Sequence, residues 1–458
     1  MSNTIPISAI TDHDRLSGLS KRVIALLTLV MLVDSFDQAA LAFAAPSLIK
    51  AWGISALSMG SAFSLQLVGL MIGGILLGYV GDRFGRKVAV VWGMYLFGIL
   101  SLATAMAGSL TELLLVRFLV GLAVGGVVPN AVALCNEFSP KRYQVTMVAL
   151  IFAGYTLGGA GGGIVSAWLI PTYGWQVIFI IGGIIPIIVA TVLAFALPES
   201  IKFLAMNKRG NLQAKAARIA ALMRPDLRIT AQTVITNETV TPKDFALQDL
   251  FSGKLRMMTP LLWLLYIANS IVVFALISWM PTIIESAGFP PKTAAIATAV
   301  LFCAAAVGGL VVSRFVDRFG LAVGIVMPAI GIPFVIALGM LGNDVFLLYV
   351  VTAMAGFSVL GLQNTLHGVA GAIYPTSVRA NGVGWALSVA KIGAIAGPFV
   401  GGILMASNAS VKELFLAAAI PLVVCIVSAA LLTRLYNSHV DSDTAVASPP
   451  FEQAGTNL

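Results

Sequence analysis

Charge is what this chain has least of. Only 10% of its residues are Asp, Glu, Lys or Arg, against about a quarter in soluble domains, while 59% are hydrophobic. A soluble fold would need charged helix faces at regular spacing. Long stretches here carry none, so the chain is expected to hide its surface in lipid. Histidine and cysteine are scarce as well. His13, His367 and His439 stand far apart with no clustered ligands, so no metal centre is expected. Cys135, Cys303 and Cys425 each lie in an apolar segment and read as small buried hydrophobes, not as a disulfide framework. The Gly-rich stretches lack the Gly-x-x-x-x-Gly-Lys-Ser/Thr spacing of a phosphate loop, so ATP is not the energy source and no cofactor is expected. Residues 1–20 are polar, with Asp12, Asp14 and Arg15. They have neither the apolar run nor the cleavage site of a signal peptide, and the first apolar helix is expected to remain in the membrane.

The net charge of +8 does not point to nucleic acid, because the basic residues fall in short segments between apolar helices. Lys21, Arg22, Arg83, Arg86, Lys87, Lys141, Arg142, Arg314, Arg318, Arg379 and Arg434 share one side with the central linker. Lys50, Lys292 and Lys412 are left on the other. This asymmetry puts both termini and the linker in the cytoplasm.

Hydropathy gives twelve spans, six between residues 22 and 197 and six between 258 and 434. The expected organisation is a cytoplasmic tail over 1–20, a six-helix bundle over 21–200 and a cytoplasmic linker over 201–257. A second bundle then covers 258–436, and an unstructured cytoplasmic tail covers 437–458. The halves repeat one another. Gly73-Gly74 and Asp82-Arg83-Phe84-Gly85 return 235 residues later as Gly308-Gly309 and Asp317-Arg318-Phe319-Gly320. Gly154-xxx-Gly158-Gly159 returns 239 residues later as Gly393-xxx-Gly397-Pro398. A membrane chain of two like halves is the sequence signature of a secondary transporter whose site lies between them.

The segment from Gly78 through Asp82, Arg83, Gly85, Arg86 and Lys87 resembles the signature loop between the second and third helices of the major facilitator superfamily. Gly78 would permit close helix approach. Asp82 would bind nearby Arg side chains or a facing helix N-terminus, and these contacts would break as the conformation changes. The resemblance implies an all-α membrane protein with twelve transmembrane helices in two pseudo-symmetric six-helix bundles. Further stretches resemble the aromatic acid:proton symporters within that superfamily. They are Asp34-Ser-Phe-Asp37, Arg117-Phe-Leu-Val-Gly121 running to Pro129-Asn130, Leu197-Pro-Glu-Ser200, and Tyr374 through Arg379 to Trp385. Ser35 replaces the usual Gly, Lys391 stands where Arg is usual, and His367 stands where a neutral polar residue is expected. This second resemblance implies a monomer in a bacterial inner membrane, with an aromatic carboxylate and protons as its partners.

Asp34, Asp37, Arg117 and Lys391 lie well inside apolar spans, where each costs about 2.5–3.5 kcal/mol on insertion scales, so a cavity or a partner is expected. Asp34 and Asp37 share a helix face. Two carboxylates so close in a poorly solvated site cannot both ionise easily, so one should hold its proton near neutrality and serve proton coupling. The plainer alternative is a permanent ion pair with Arg117, which otherwise tunes the pair. At the 235 offset Asp34 corresponds to Asn269, a candidate substrate hydrogen-bonder or an interhelical one. Lys391 is a cation with no carboxylate one turn away, suited to holding an anionic substrate. Gln363, Asn364 and His367 are candidates for binding a ring hydroxyl or carboxylate. Tyr155, Tyr266, Phe36, Phe43, Trp279 and Trp385 are candidates for ring stacking. Asp317 and Arg318 would repeat the gating role of the first loop.

The expected activity is alternating-access import of a benzoate-, hydroxybenzoate-, phenylpropionate- or aryloxyacetate-like acid with protons, and no enzymatic reaction. Its rivals are proton-driven efflux, favoured weakly by the glycine run at 154–163, uptake of another organic anion or a sugar, and a receptor that does not transport.

Overall fold

In the computed structural model of the chain, residues 4–11, 16–206, 210–227, 229–230, 233–236, 246–375 and 378–447 are described. His13 and residues 448–458 fall outside them. The chain opens with strand β1 (Thr4–Pro6) and the short helix α1 (Ile7–Thr11). The first half then comprises α2 (Gly18–Trp52), α3 (Ala56–Phe84), α4 (Arg86–Ala105), α5 (Leu110–Gly125), α6 (Val127–Phe138), α7 (Gln144–Tyr173) and α8 (Gln176–Ala196). A linker follows with α9 (Ile201–Met206), α10 (Gly210–Met223) and β2 (Val234–Thr236). The second half comprises α11 (Leu255–Ser286), α12 (Pro291–Phe319), α13 (Val323–Leu338), α14 (Val345–Ala355), α15 (Gly361–Ile373), α16 (Arg379–Ala406) and α17 (Val411–Ala447).

Eleven stretches among the described residues are long and apolar enough to cross a membrane, and α13 is a shorter apolar helix that completes twelve. Two of the spans are compound. α5 and α6 form one crossing, Leu110–Phe138, and α14 and α15 form another, Val345–Gly371. The first is interrupted at Gly125-Gly126, where a Cβ would run into Leu70 and Leu77 of α3. The second contains a π-helical turn over Gly356–Leu360, where Gly356 presses on the Leu301 carbonyl of α12.

Local chemistry explains where the spans begin. Ser17, Ser55, Ser109 and Asp344 each accept from a backbone N–H three residues on, which satisfies a donor that the first helical turn leaves free. Ser410 and Glu413 cap each other's backbone N–H at 3.3 and 2.7 Å before α17. Large apolar side chains such as Ile75, Trp92, Phe195 and Leu310 point outward and exposed. A water-soluble monomer does not expose apolar surface on that scale.

The sequence repeat becomes a repeat of contacts. Gly73 meets the Leu122 carbonyl as Gly308 meets that of Phe357, and Gly158 meets Leu32 as Gly397 meets Ile271. The glycines let backbones approach where any Cβ would collide. The two halves are therefore two six-helix bundles of like construction. They meet along their ends farthest from the linker. There the Gly60 Cβ position lies 2.8 Å from the Pro398 carbonyl, and that of Gly163 lies 2.8 Å from Ala295 O. Ser64 Oγ donates to Ile395 O at 2.8 Å, and Trp279 meets Phe63 edge-on at 5.4 Å. Lys50 pairs with Glu285 at 3.5 Å, and Lys292 Nζ sits 3.7 Å over the Trp168 ring. Toward the linker, Gly78 of α3 and Gly384 of α16 face open space. The bundles are closed at one end and parted at the linker end.

One expectation about the ends is corrected, and the other end is more ordered than the sequence shows. Within residues 4–11, β1 pairs in parallel with β2, Thr4 opposite Val234. Arg224 Nη1 donates to Ala9 O at 2.7 Å, and Ile10 is fully buried. Strands of three residues carry no periodicity to read, and their partners lie over 200 positions apart. At the other end α17 continues to Ala447, past the expected start of the tail at residue 437.

Candidate functional site

The first bundle builds a buried polar centre around α2. Arg117 of α5, fully buried, donates to Asp37 Oδ2 at 3.1 Å and Oδ1 at 3.3 Å, with a longer contact to its backbone carbonyl at 3.5 Å. Ser101 of α4 donates to the same carboxylate at 2.9 Å. The Arg117 guanidinium also lies 5.0 Å from the Phe179 ring centroid. Asp37 is thus tied to two other helices, α4 and α5, which for this residue is the plainer of the two sequence readings. Asp34 is different. It is 4% exposed, and among the described residues it has no ion pair. Its neighbour is Tyr155 of α7, whose hydroxyl donates to Gln38 Oε1. A carboxyl without a counter-ion in a poorly hydrated place is inexpensive only when protonated.

The second bundle holds a hydrogen-bonded pair of amides. Asn269 Nδ2 donates to Gln363 Oε1 at 2.7 Å and lies 3.5 Å from Val359 O, a carbonyl of the π-helical turn. Gln363 Nε2 donates to Ser270 Oγ at 3.3 Å. Asn269 Oδ1 is buried and has no partner among the described residues. Asn269 repeats the place of Asp34 in the contact pattern: Asp34 lies two residues after Leu32, which Gly158 meets, and Asn269 two after Ile267, which Gly393 meets.

Lys391 of α16 is half-buried and in no ion pair among the described residues. Its Nζ lies 3.7 Å from the Cβ position of Gly74 on α3, so it reaches from the second bundle to the first. The other candidates scatter. Asn364 turns toward Ala305 O of α12, at 3.4 Å. Tyr266 is fully buried in the core of the second bundle. Trp385 stacks on Trp263, with centroids 6.3 Å apart. Phe36 is packed toward Gly162 and Gly182 of its own bundle, and Phe43 sits against Gly163. Trp279 donates to Pro398 O at 2.8 Å within the closed end. These aromatics pack helices together and are not gathered around Lys391. The side chain of His367 lies outside the described residues.

At the linker end the loop between α3 and α4 is held by two carboxylates, Glu199 of the Leu197-Pro-Glu-Ser200 stretch and Glu137, which the sequence reading did not single out. Arg86 pairs with Glu137 of α6, and Glu137 accepts from Ser200 Oγ at 2.6 Å. Glu199 Oε1 accepts the backbone N–H groups of Lys87 and Ser200 at 3.0 and 2.8 Å. Burial pushes the Glu199 carboxyl up and those donors pull it back. Gly85 has φ +112°, and a Cβ there would collide with Glu199, so the position requires glycine. Asp82, by contrast, is exposed with no ion pair among the described residues, and Arg83 bonds Tyr79 at 2.7 Å instead. The expected engagement of Asp82 is not formed, because the bundle ends it would bridge have parted. Gly78 likewise makes no close approach. Side chains of Asp317 and Arg318 lie outside the described residues. The signal for Glu137 was an acid at the end of an apolar run, just ahead of Ser139-Pro140. Ser101 and Gln38 gave none, since lone hydroxyls and amides in apolar helices are ordinary.

A family model described as Major Facilitator Superfamily matches residues 27–332 and 262–455. The chain belongs to the major facilitator superfamily. This facilitator is 33% identical over 443 residues to the 4-hydroxybenzoate transporter PcaK of Pseudomonas aeruginosa, covering 96% of this chain and 97% of that one. It is 36% identical over 431 residues to a gallate transporter of Pseudomonas putida, covering 93% and 94%. To the 3-(3-hydroxy-phenyl)propionate transporter of Escherichia coli it is 31% identical over 387 residues, covering 84% and 86%. Among solved structures, the facilitator matches an inward-facing, unoccupied bacterial homolog of the human lysosomal transporter Spinster. The TM-score is 0.71 at 17% identity, over 92% of this chain and 98% of that one. A D-xylose–proton symporter matches with a TM-score of 0.68, also at 17% identity, over 90% and 97%. At that identity the structural matches speak for the fold alone.

Proposed function

We propose that the protein imports an aromatic carboxylate together with protons by alternating access, with its linker side in the cytoplasm of a bacterial inner membrane. The division of labour between Asp34 and Asp37 carries the reading. Asp37 is neutralised by Arg117 and holds α2, α4 and α5 together, while Asp34 is buried and free of ionic partners among the described residues. Asp34 therefore takes and releases the proton. Lys391, in no ion pair among the described residues and reaching across the interface between bundles, holds the substrate carboxylate. The amide pair Asn269–Gln363 offers hydrogen bonds for ring substituents, with Asn269 Oδ1 available to accept one. Supporting the aromatic class are the hydroxybenzoate, gallate and hydroxyphenylpropionate transporters above.

Energetics favour symport. Moving an anion into an inside-negative compartment costs about 2.3 kcal/mol per 100 mV, which accompanying protons offset. Protonating Asp34 also removes a bare charge from the cavity before the bundles rock around it. In the glycine run at 154–163, which could have pointed to efflux, Gly154, Gly158 and Gly162 pack on α2, and Gly159 and Gly163 pack on α12.

The test is uptake of labelled aromatic acids into proteoliposomes under an imposed inward proton gradient, with a drug and a sugar as controls. Accumulation abolished by a protonophore supports symport. Drug driven outward, with no acid accumulated, overturns it.

A further inference from the structure

Apart from the proposed transport site, the molecule holds a cavity at its linker end. It encloses about 600 Å³ between the starts of α2 and α4, the end of α8 and the linker helix α10. Four basic side chains reach it from three elements: Arg22 of α2, Lys87 of α4, and Lys215 and Arg218 of α10. Glu199 is the carboxylate in the lining, and its Oε1 is already engaged by the backbone N–H groups of Lys87 and Ser200. Lys87 and Lys215 are close enough to repel one another. Among the described residues, Arg22, Lys215 and Arg218 have no ion pair. Basic groups gathered around a cavity whose one acid is already engaged make a positive potential that attracts an anion.

The rim decides which anion. Phe195, in the last turn of α8, is 88% exposed, and Leu222 of α10 is 55% exposed. Both line the same cavity. A soluble anion has no use for this apolar edge. A phospholipid does, because its phosphate would sit among the cations while its acyl chains run along α8 into the bilayer.

We propose that this cavity is a binding site for the headgroup of an anionic glycerophospholipid. The bound lipid clamps α10 of the linker to α2 and α4 of the first bundle. Basic pockets at a membrane surface gain roughly 1 kcal/mol per Lys or Arg from anionic lipid, so removing two of the four is a measurable loss. Lys215 and Arg218 suit the purpose, since both are exposed while α10 is held in place by Ala216, Ala217, Ala220 and Met223.

The experiment is native mass spectrometry of the full chain released from detergent after incubation with phosphatidylglycerol or phosphatidylcholine. The native protein should retain phosphatidylglycerol and not phosphatidylcholine, and Lys215→Gln/Arg218→Gln should retain it roughly thirtyfold less. Thermal unfolding of both proteins without added lipid verifies that the variant is folded. Equal retention of phosphatidylglycerol by the folded variant would overturn the proposal. Displacement of the lipid by millimolar inorganic phosphate, which then binds alone, would also overturn it and assign the cavity to a soluble phosphate.

Discussion

Arg117 grips Asp37 through two hydrogen bonds, at 3.1 and 3.3 Å, and leaves Asp34, three residues earlier on the same helix, with no ionic partner among the described residues. Both carboxylates are buried to nearly the same degree, at 4% and 2% exposure. Burial alone therefore does not distinguish them; the counter-ion does. One becomes a structural tie and the other a group whose charge is not compensated.

Asp34→Asn should abolish accumulation driven by a proton gradient while sparing exchange of substrate for substrate, which needs no net proton movement. Loss of driven uptake by about tenfold or more corresponds to at least ~1.4 kcal/mol. Counterflow and driven uptake measured side by side in proteoliposomes check it. Normal accumulation by the variant would remove Asp34 from proton handling.

Asp37→Asn should act chiefly on stability, since it strands a buried guanidinium. Breaking one partner of a buried pair costs about 3–5 kcal/mol. A markedly lowered unfolding temperature in detergent is expected, partly recovered when Arg117→Gln removes the orphaned charge.

Lys391→Ala should weaken binding of the aromatic carboxylate roughly tenfold to a hundredfold, the range for a hydrogen bond to a charged group at ~1.5–3 kcal/mol. Lys391→Arg should retain much of the affinity. Titration calorimetry of the purified variants measures it, and an unchanged affinity in the Ala variant would make Lys391 a packing residue.

Gly85→Ala should destabilise the linker end by about 1–3 kcal/mol, because the residue would take a left-handed backbone (φ +112°) and collide with Glu199. Thermal unfolding checks this, with Gly78→Ala as a control. A Cβ added at Gly78 would meet only open space.

Gly60→Leu should shift the protein toward opening at its far end. Even a Cβ at Gly60 would sit 2.8 Å from the Pro398 carbonyl, and a larger side chain must push α16 from α3. Ser64→Cys, at a position 7% exposed in the closed seam, should then become reactive to a membrane-impermeant thiol reagent. No gain in labelling would mean that this seam is not the far gate.

Much of the architecture was legible in the chain itself, for reasons of solvation. An apolar run of some twenty residues has no stable place but a bilayer, so the spans could be counted from composition, and the repeated glycines announced two like halves. The cost of a charge in lipid likewise picked out Asp34, Asp37, Arg117 and Lys391. What periodicity could not supply was the partner of each group. Asp34 and Asp37 carry the same side chain, and only the placement of Arg117 and Ser101 on α5 and α4 separates their roles. Tyr266, Trp385 and Phe36 read as site aromatics, yet packing turned them toward cores and helix seams, since a ring is equally at home in either. The docked N-terminal strand and the Arg86–Glu137–Ser200 cluster both depend on contacts between residues distant in sequence. Solvation is a property of the residue and its near neighbours and can be read along the chain, whereas pairing is a property of two segments meeting and exists only in the folded molecule.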